Sequence, residues 1–318
     1  MKKTFFDLIS VGKIFLWLIV LPQILVLLGE VVLILVAPLF NQTPEALLGL
    51  TGVQIAFTML AQVAFLIIVL VLNKKYDLKK SMKLSKNLGL RNAIICVALG
   101  LIAVLSLYPI VSWFDVLLES LGYNISTVGF EITSPFMLIL GIVLLAFVPA
   151  VLEELVFRGA IFQGLKRYGK WVAIFGTSAL FVLLHGSLQQ VVFPFLVSII
   201  LCLTVFKTEN VLASITVHFV ANTTSLVVGY AKFGAILGTL PLWASILLAV
   251  GGMGLMIFLT TLLKSTAKPK TAEEVLEMMP EQAMSLRSDN GRLLRMAIGL
   301  AVIFYIASIW VGFTPPSV

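Results

Sequence analysis

The stretch Glu153-Glu154-Leu155-Val156-Phe157-Arg158-Gly159 puts two carboxylates and a guanidinium into a chain with little other charge, directly after the apolar run Phe136 to Leu152. Ionisable groups at membrane depth are costly to keep and by default mark function. Glu154 and Arg158 stand four residues apart with the acid first, the favourable order on a helix, and pairing lowers the cost of burying either one. Glu153 lies about 100° round the same helix. It is left free to face a cavity and to act as a general base on water. The bland alternative is that both carboxylates serve Arg158 and merely pin helices together.

The chain's two histidines, His185 and His218, both fall in apolar runs. A single buried histidine is usually a hydrogen-bonded structural residue; two of two shifts the balance towards chemistry. Phe181 precedes His185 by one helical turn and reads as packing. His218 and Asn222 are four apart, hence on one helical face, and both can donate hydrogen bonds, as stabilising an oxyanion in a dry site requires. For Asn222 the competing reading is an interhelical hydrogen bond. Counting along helices at 1.5 Å per residue from Lys166, Lys170 and Lys207 puts Glu153, His185, His218 and Asn222 at depths of ~20, ~22, ~16 and ~22 Å. Three helices thus bring these side chains to one level, which suggests a shared intramembrane site.

The elements that must hold them are membrane helices. The chain of 318 residues is 60% hydrophobic and 12% charged, with a mean hydropathy of +1.10; a soluble domain carries about a quarter charged residues. An all-α, polytopic integral membrane protein of about eight or nine spans follows. Apolar runs that approach the ~20 residues needed to cross lie at 14–38, 51–72, 93–113, 136–156, 171–187, 190–206, 211–228, 237–263 and 296–313. The lysines before Ile14 give the N-terminus the look of a signal peptide. The apolar stretch continues past Glu30 to Leu39 without a cleavage pattern, so a retained first span is expected. Residues 136–167 as one helix would measure ~48 Å, so a break at Pro149 or a tilt is expected.

The net charge of +7 does not indicate nucleic acid. Loop 73–92 carries Lys74, Lys75, Lys79, Lys80, Lys83, Lys86 and Arg91, and positive-inside topology places it in the cytoplasm. Of the 22 Lys and Arg, only Arg158 and Lys232 fall away from the loops and ends on that side. The N-terminus is then cytoplasmic. Short loops and the lack of a large soluble domain suggest the cell membrane, and a bacterial inner membrane in particular. Three parts are expected: N-terminal spans (1–134), a helical core (135–230), and C-terminal spans (231–318) with a cytoplasmic connecting segment at 264–295. In that segment Thr271-Ala-Glu-Glu274 reads as a capping box opening a short helix, Val275 to Met279, before Pro280. Cys96 and Cys202 sit in apolar runs and read as buried hydrophobes.

Glu153-Glu154-x-x-x-Arg158, Phe181-x-x-x-His185 and His218-x-x-x-Asn222, in this order on successive apolar helices, resemble the CPBP family. These are the type II CAAX prenyl endopeptidases and the bacteriocin-processing or immunity enzymes once called Abi. The resemblance covers roughly residues 135–230. It implies a CAAX type II protease-like helical core and an intramembrane endopeptidase with its site open towards the cytoplasm. Its substrate would be a peptide or lipidated protein entering from the membrane or cytoplasmic side, with membrane lipids as the other partners.

By the same resemblance Glu153 and His185 would activate water, His218 and Asn222 would stabilise the oxyanion, and Glu154 and Arg158 would organise the site. The family is also described as metalloproteases, in which case Glu153, His185 and His218 would bind Zn²⁺. Two histidines and a carboxylate form an acceptable catalytic zinc set; the metal-independent route is the one favoured here. The competing functions are a non-catalytic membrane immunity or scaffold protein and a transporter. The sequence has no His-Glu-x-x-His, no aspartate in the middle of a span and no Gly-x-Ser-x-Gly.

Overall fold

The computed structural model describes residues 5–84, 87–125, 130–267 and 291–313. Nine principal helices follow one another among them: α1 (Leu8–Val36), α2 (Thr51–Lys75), α3 (Leu90–Ser120), α4 (Pro135–Tyr168), α5 (Lys170–His185), α6 (Val192–Thr208), α7 (Val211–Tyr230), α8 (Leu242–Leu262) and α9 (Arg292–Phe313). No strand occurs among the described residues, so the fold is all-α. The capping box at Thr271–Glu274 and the helix Val275–Met279 lie outside the described residues.

Seven of these helices are long and apolar enough to cross a membrane. The two that are not, α5 and α6, have 16 and 17 residues. At 1.5 Å per residue they reach about 24 and 26 Å, short of a hydrocarbon core of ~30 Å. The expected eight or nine spans thus become seven full-length helices and two short ones. The turn at 186–191, opened by Gly186 at φ 62, takes residues that apolarity alone assigned to spans.

Pro149 does not break α4. The helix starts at Ser134, whose side chain accepts from Met137 N at 3.2 Å, and runs on to Tyr168 through two π-helical turns, Ile142–Phe147 and Phe157–Ile161. Pro149 follows the first of them. It has no N–H to give the carbonyl four residues back, that of Leu145, and Asn222 Nδ2 of α7 donates to this carbonyl at 3.4 Å. A wider turn and a side chain from a neighbouring helix accommodate the proline.

The helix ends sort by charge. Lys13, Lys74, Lys75, Lys166, Arg167, Lys170, Lys207 and Arg292 mark one end of the bundle, where Arg167 donates to Phe6 O, and Lys83 and Lys166 approach Glu209 at 3.9 and 3.6 Å. The other end is tied by Asn124 N donating to Gly312 O at 2.8 Å and by Tyr305 Oη donating to Ser187 O at 3.2 Å. Packing is densest towards the basic end. Buried residues of α1 concentrate over Ser10 to Ile19, those of α2 are Ala64, Phe65, Ile68 and Leu72, and those of α4 concentrate after Glu153. Towards the other end the same helices stand more exposed.

Candidate active site

Spacing on α4 separates the two glutamates. Glu154 and Arg158 are fully buried, and Arg158 Nη1 donates to Glu154 Oε1 at 2.6 Å. Arg158 Nη2 donates to Ser198 Oγ of α6 at 2.6 Å and to its carbonyl at 3.3 Å. His218 of α7 brings Nδ1 within 3.0 Å of the same Glu154 oxygen. A carboxylate oxygen can only accept, so His218 Nδ1 carries the hydrogen. One buried ion pair therefore binds α4, α6 and α7 together through four side chains. Gly159, the last residue of the motif, sits where an added Cβ would come within 3.1 Å of the Met82 side chain.

Phe181 is the hub above this cluster. Its ring lies 4.8 Å from the Arg158 guanidinium carbon, and 4.7 and 6.2 Å from the rings of His185 and His218. It also meets Phe157 edge-on at 4.9 Å. A cation over an aromatic face is stabilised by the ring quadrupole, more so when desolvated. The residue read as packing thus separates the two histidines and caps the arginine.

Glu153 faces away from the pair, into a cavity of about 490 Å³. Gln62 Nε2 of α2 donates to Glu153 Oε1 at 3.3 Å. His185, at the end of α5, lines the same cavity, and its Nδ1 lies 2.8 Å from Phe181 O. A carbonyl can only accept, so Nδ1 bears the proton and the neutral ring keeps Nε2 as an acceptor. His185 lies within electrostatic reach of Glu153, His218 and Arg158. Five helices wall the cavity: α1 (Leu18 to Gln23), α2 (Ala61 to Phe65), α4, α5 and α9 (Ala301 to Val311). Each packs on the next, so the ring closes.

Of the six expected site residues, Glu153 and His185 share the cavity, while Glu154, Arg158 and His218 form the buried cluster beside it. Neither His218 nor Asn222 lines the cavity, and Asn222 spends its amide on Leu145 O. The expected oxyanion pair is therefore not presented to the cavity, because each side chain answers a buried polar group on α4. The expected zinc set fares similarly. Among the described residues no three His, Cys, Asp or Glu side chains are grouped to hold a metal ion. The Nδ1 hydrogen bonds of both histidines leave each Nε2 open, but His218 lies outside the cavity that Glu153 and His185 share, so the three are not gathered as a zinc set in this arrangement.

Gln62 and Ser198 went unnoticed in the sequence. Gln54, Thr58 and Gln62 recur at intervals of four within an apolar run, a polar stripe on one helical face that would have pointed to Gln62. Ser198 offered no comparable signal.

A bundle of membrane-spanning helices with a carboxylate and an imidazole facing an interior cavity defines a membrane protein with an intramembrane polar site. Residues 135–224 match the family model described as type II CAAX prenyl endopeptidase Rce1-like. The chain carries an Rce1-like domain over that segment, which supports a protease-type function within the membrane. No curated protein and no solved structure matches the chain.

Proposed function

We propose that the protein is an intramembrane endopeptidase that hydrolyses a peptide bond of a membrane-associated substrate, a peptide or a lipidated protein. The observation that carries this is the convergence of Glu153 and His185, from two helices, on one cavity inside the Rce1-like segment and its neighbours. Glu153 takes a proton from a water molecule as the water oxygen adds to the scissile carbonyl. His185 Nε2 takes that proton from Glu153 and passes it to the amide nitrogen, the C–N bond breaks, and the new carboxylic acid gives its proton to the amine, so that Glu153 and His185 return to their starting states. Gln62 holds Glu153 in place, and the Glu154–Arg158–His218 cluster, with Phe181 of α5 over the Arg158 guanidinium, fixes the helices that present both groups. The charge asymmetry supports a cytoplasmic N-terminus and basic end, and the short loops without a large soluble domain support the cell membrane of a bacterium.

The test compares the wild type with Glu153→Gln and His185→Ala, purified in detergent, on prenylated and unprenylated peptides ending in a CAAX-type sequence. General acid–base groups contribute about 10²–10⁴-fold, and a loss of that order is expected from each variant. Wild-type cleavage by both would sink the proposal. Metal analysis of the same preparations, and cleavage with and without chelator, tests the metal-independent route.

A further inference from the structure

The five helices around the cavity bury their lining residues unevenly, and all in the same sense. On α1, Leu18 and Ile19 are buried while Gln23 is exposed; on α2, Phe65 is buried and Gln62 and Ala61 are partly open. On α5, Phe181 is buried and Leu183 to Gly186 are partly open; on α9, Ala301 is buried and Val311 is 66% exposed. Every buried lining residue is the one nearest the basic end of its helix. On α4, Glu153 lines the cavity, and the chain beyond it towards the basic end, from Val156 to Phe162, is buried without interruption.

The polar groups of the lining also keep away from the basic end. Leu18, Ile19, Phe65, Phe181 and Ala301 make the floor. Gln23, Tyr305 and Ser308 stand on the far side, where Ser308 Oγ donates to Gly186 O and Tyr305 Oη to Ser187 O. Gln54 and Thr58 extend the Gln62 face in that direction at helical spacing. A closed floor that is wholly apolar and an open rim where Gln23, Tyr305 and Ser308 stand among Pro22, Phe304 and Val311 define a mouth.

We infer that the cavity is entered from the end of the bundle opposite the basic helix ends, and that water and substrate reach Glu153 and His185 from there. This reverses the cytoplasmic opening that the family resemblance implies. The substrate consequence rests on the proposed function and orientation: the scissile segment belongs to a polypeptide presented on the non-cytoplasmic face, and a cytosolic tail has no path to it past Leu18, Phe65 and Phe181. The side of entry itself does not depend on catalysis.

Single cysteines at Gln23→Cys and Ser308→Cys, with Lys79→Cys at the basic end as reference, are exposed to a charged, membrane-impermeant thiol reagent in sealed vesicles of each orientation. The native Cys96 and Cys202 are buried, and the unsubstituted protein gives the background. Gln23→Cys and Ser308→Cys should react an order of magnitude faster in the orientation that protects Lys79→Cys. Gln23 is exposed and makes none of the ties that Ser308 makes, so it reports even if Ser308→Cys misfolds. Reaction in the same orientation as Lys79→Cys, equal reaction in both, or none above background in either overturns the inference. Loss of cleavage in Glu153→Gln is read separately, so failure of the access route and failure of the catalytic reading are told apart.

Discussion

His218 and Glu154 are joined across 3.0 Å at the very carboxylate oxygen that Arg158 holds at 2.6 Å. The second catalytic-looking histidine is thus tethered to the structural glutamate, on the side of α4 away from the cavity. A carboxylate that balances a buried guanidinium also fixes the orientation of an imidazole on another helix. Removing it leaves two groups without their acceptor.

Glu154→Ala should therefore be costly to the fold. Breaking one partner out of a buried ion pair costs about 3–5 kcal/mol, because a bare charge remains. Arg158→Ala should behave similarly, whereas Ser198→Ala leaves Arg158 its carboxylate and should cost only about 1–3 kcal/mol. Thermal melts and the yield of folded protein in detergent check the order. Wild-type stability in both Glu154→Ala and Arg158→Ala would show that the pair does not hold the bundle.

Gln62→Met keeps the length of the side chain and loses its N–H. If Gln62 orients Glu153, kcat should fall roughly tenfold while KM and melting temperature stay at wild-type values, in line with a hydrogen bond to a charged group worth about 1.5–3 kcal/mol. If Gln62 only fills space, the variant should be indistinguishable from wild type and Gln62→Ala should be the worse of the two. The split between kcat and KM is the measurement that decides.

The seam between α1 and α9 depends on Gly12, where an added Cβ would lie 2.7 Å from Leu294 N. The obstacle is backbone, so Gly12→Ala must push the helices apart, with an overpacking cost of about 1–3 kcal/mol. A lowered melting temperature, with labelling of Gln23→Cys no longer confined to one orientation, is the expected outcome. An unchanged melt and an unchanged labelling pattern would mean that the seam is not a tight one.

Hydrophobic runs and helical spacing made the fold legible. The nine apolar stretches became nine helices, with ends shifted by up to 12 residues at Tyr168 of α4, and Glu154 met Arg158 as a spacing of four requires. What stayed hidden is tertiary. That His218 reaches back to Glu154 depends on how α7 packs on α4, which no local pattern encodes. The use of Asn222 follows from Pro149, which leaves Leu145 O short of a donor; both residues were in view, but their relation crosses 73 residues of chain. The wall from α9 lies further still from Glu153 in sequence, and apolar residues such as Ala301 look the same whether they face lipid or a cavity.

The division of the cavity wall between α4 and α5 on one hand, and α1, α2 and α9 on the other, sets how such a protein can diverge. Glu153 and His185, the groups proposed to react, ride on the segment that carries the family pattern, whereas three of the five walls come from outside it. Under the proposed function, chemistry and selectivity are thereby inherited separately. Changes at Gln23, Phe304 or Val311 can reshape what the cavity admits without touching a carboxylate or an imidazole, and a transplanted core of residues 135–224 would bring its reactive groups without the chamber that screens them from lipid.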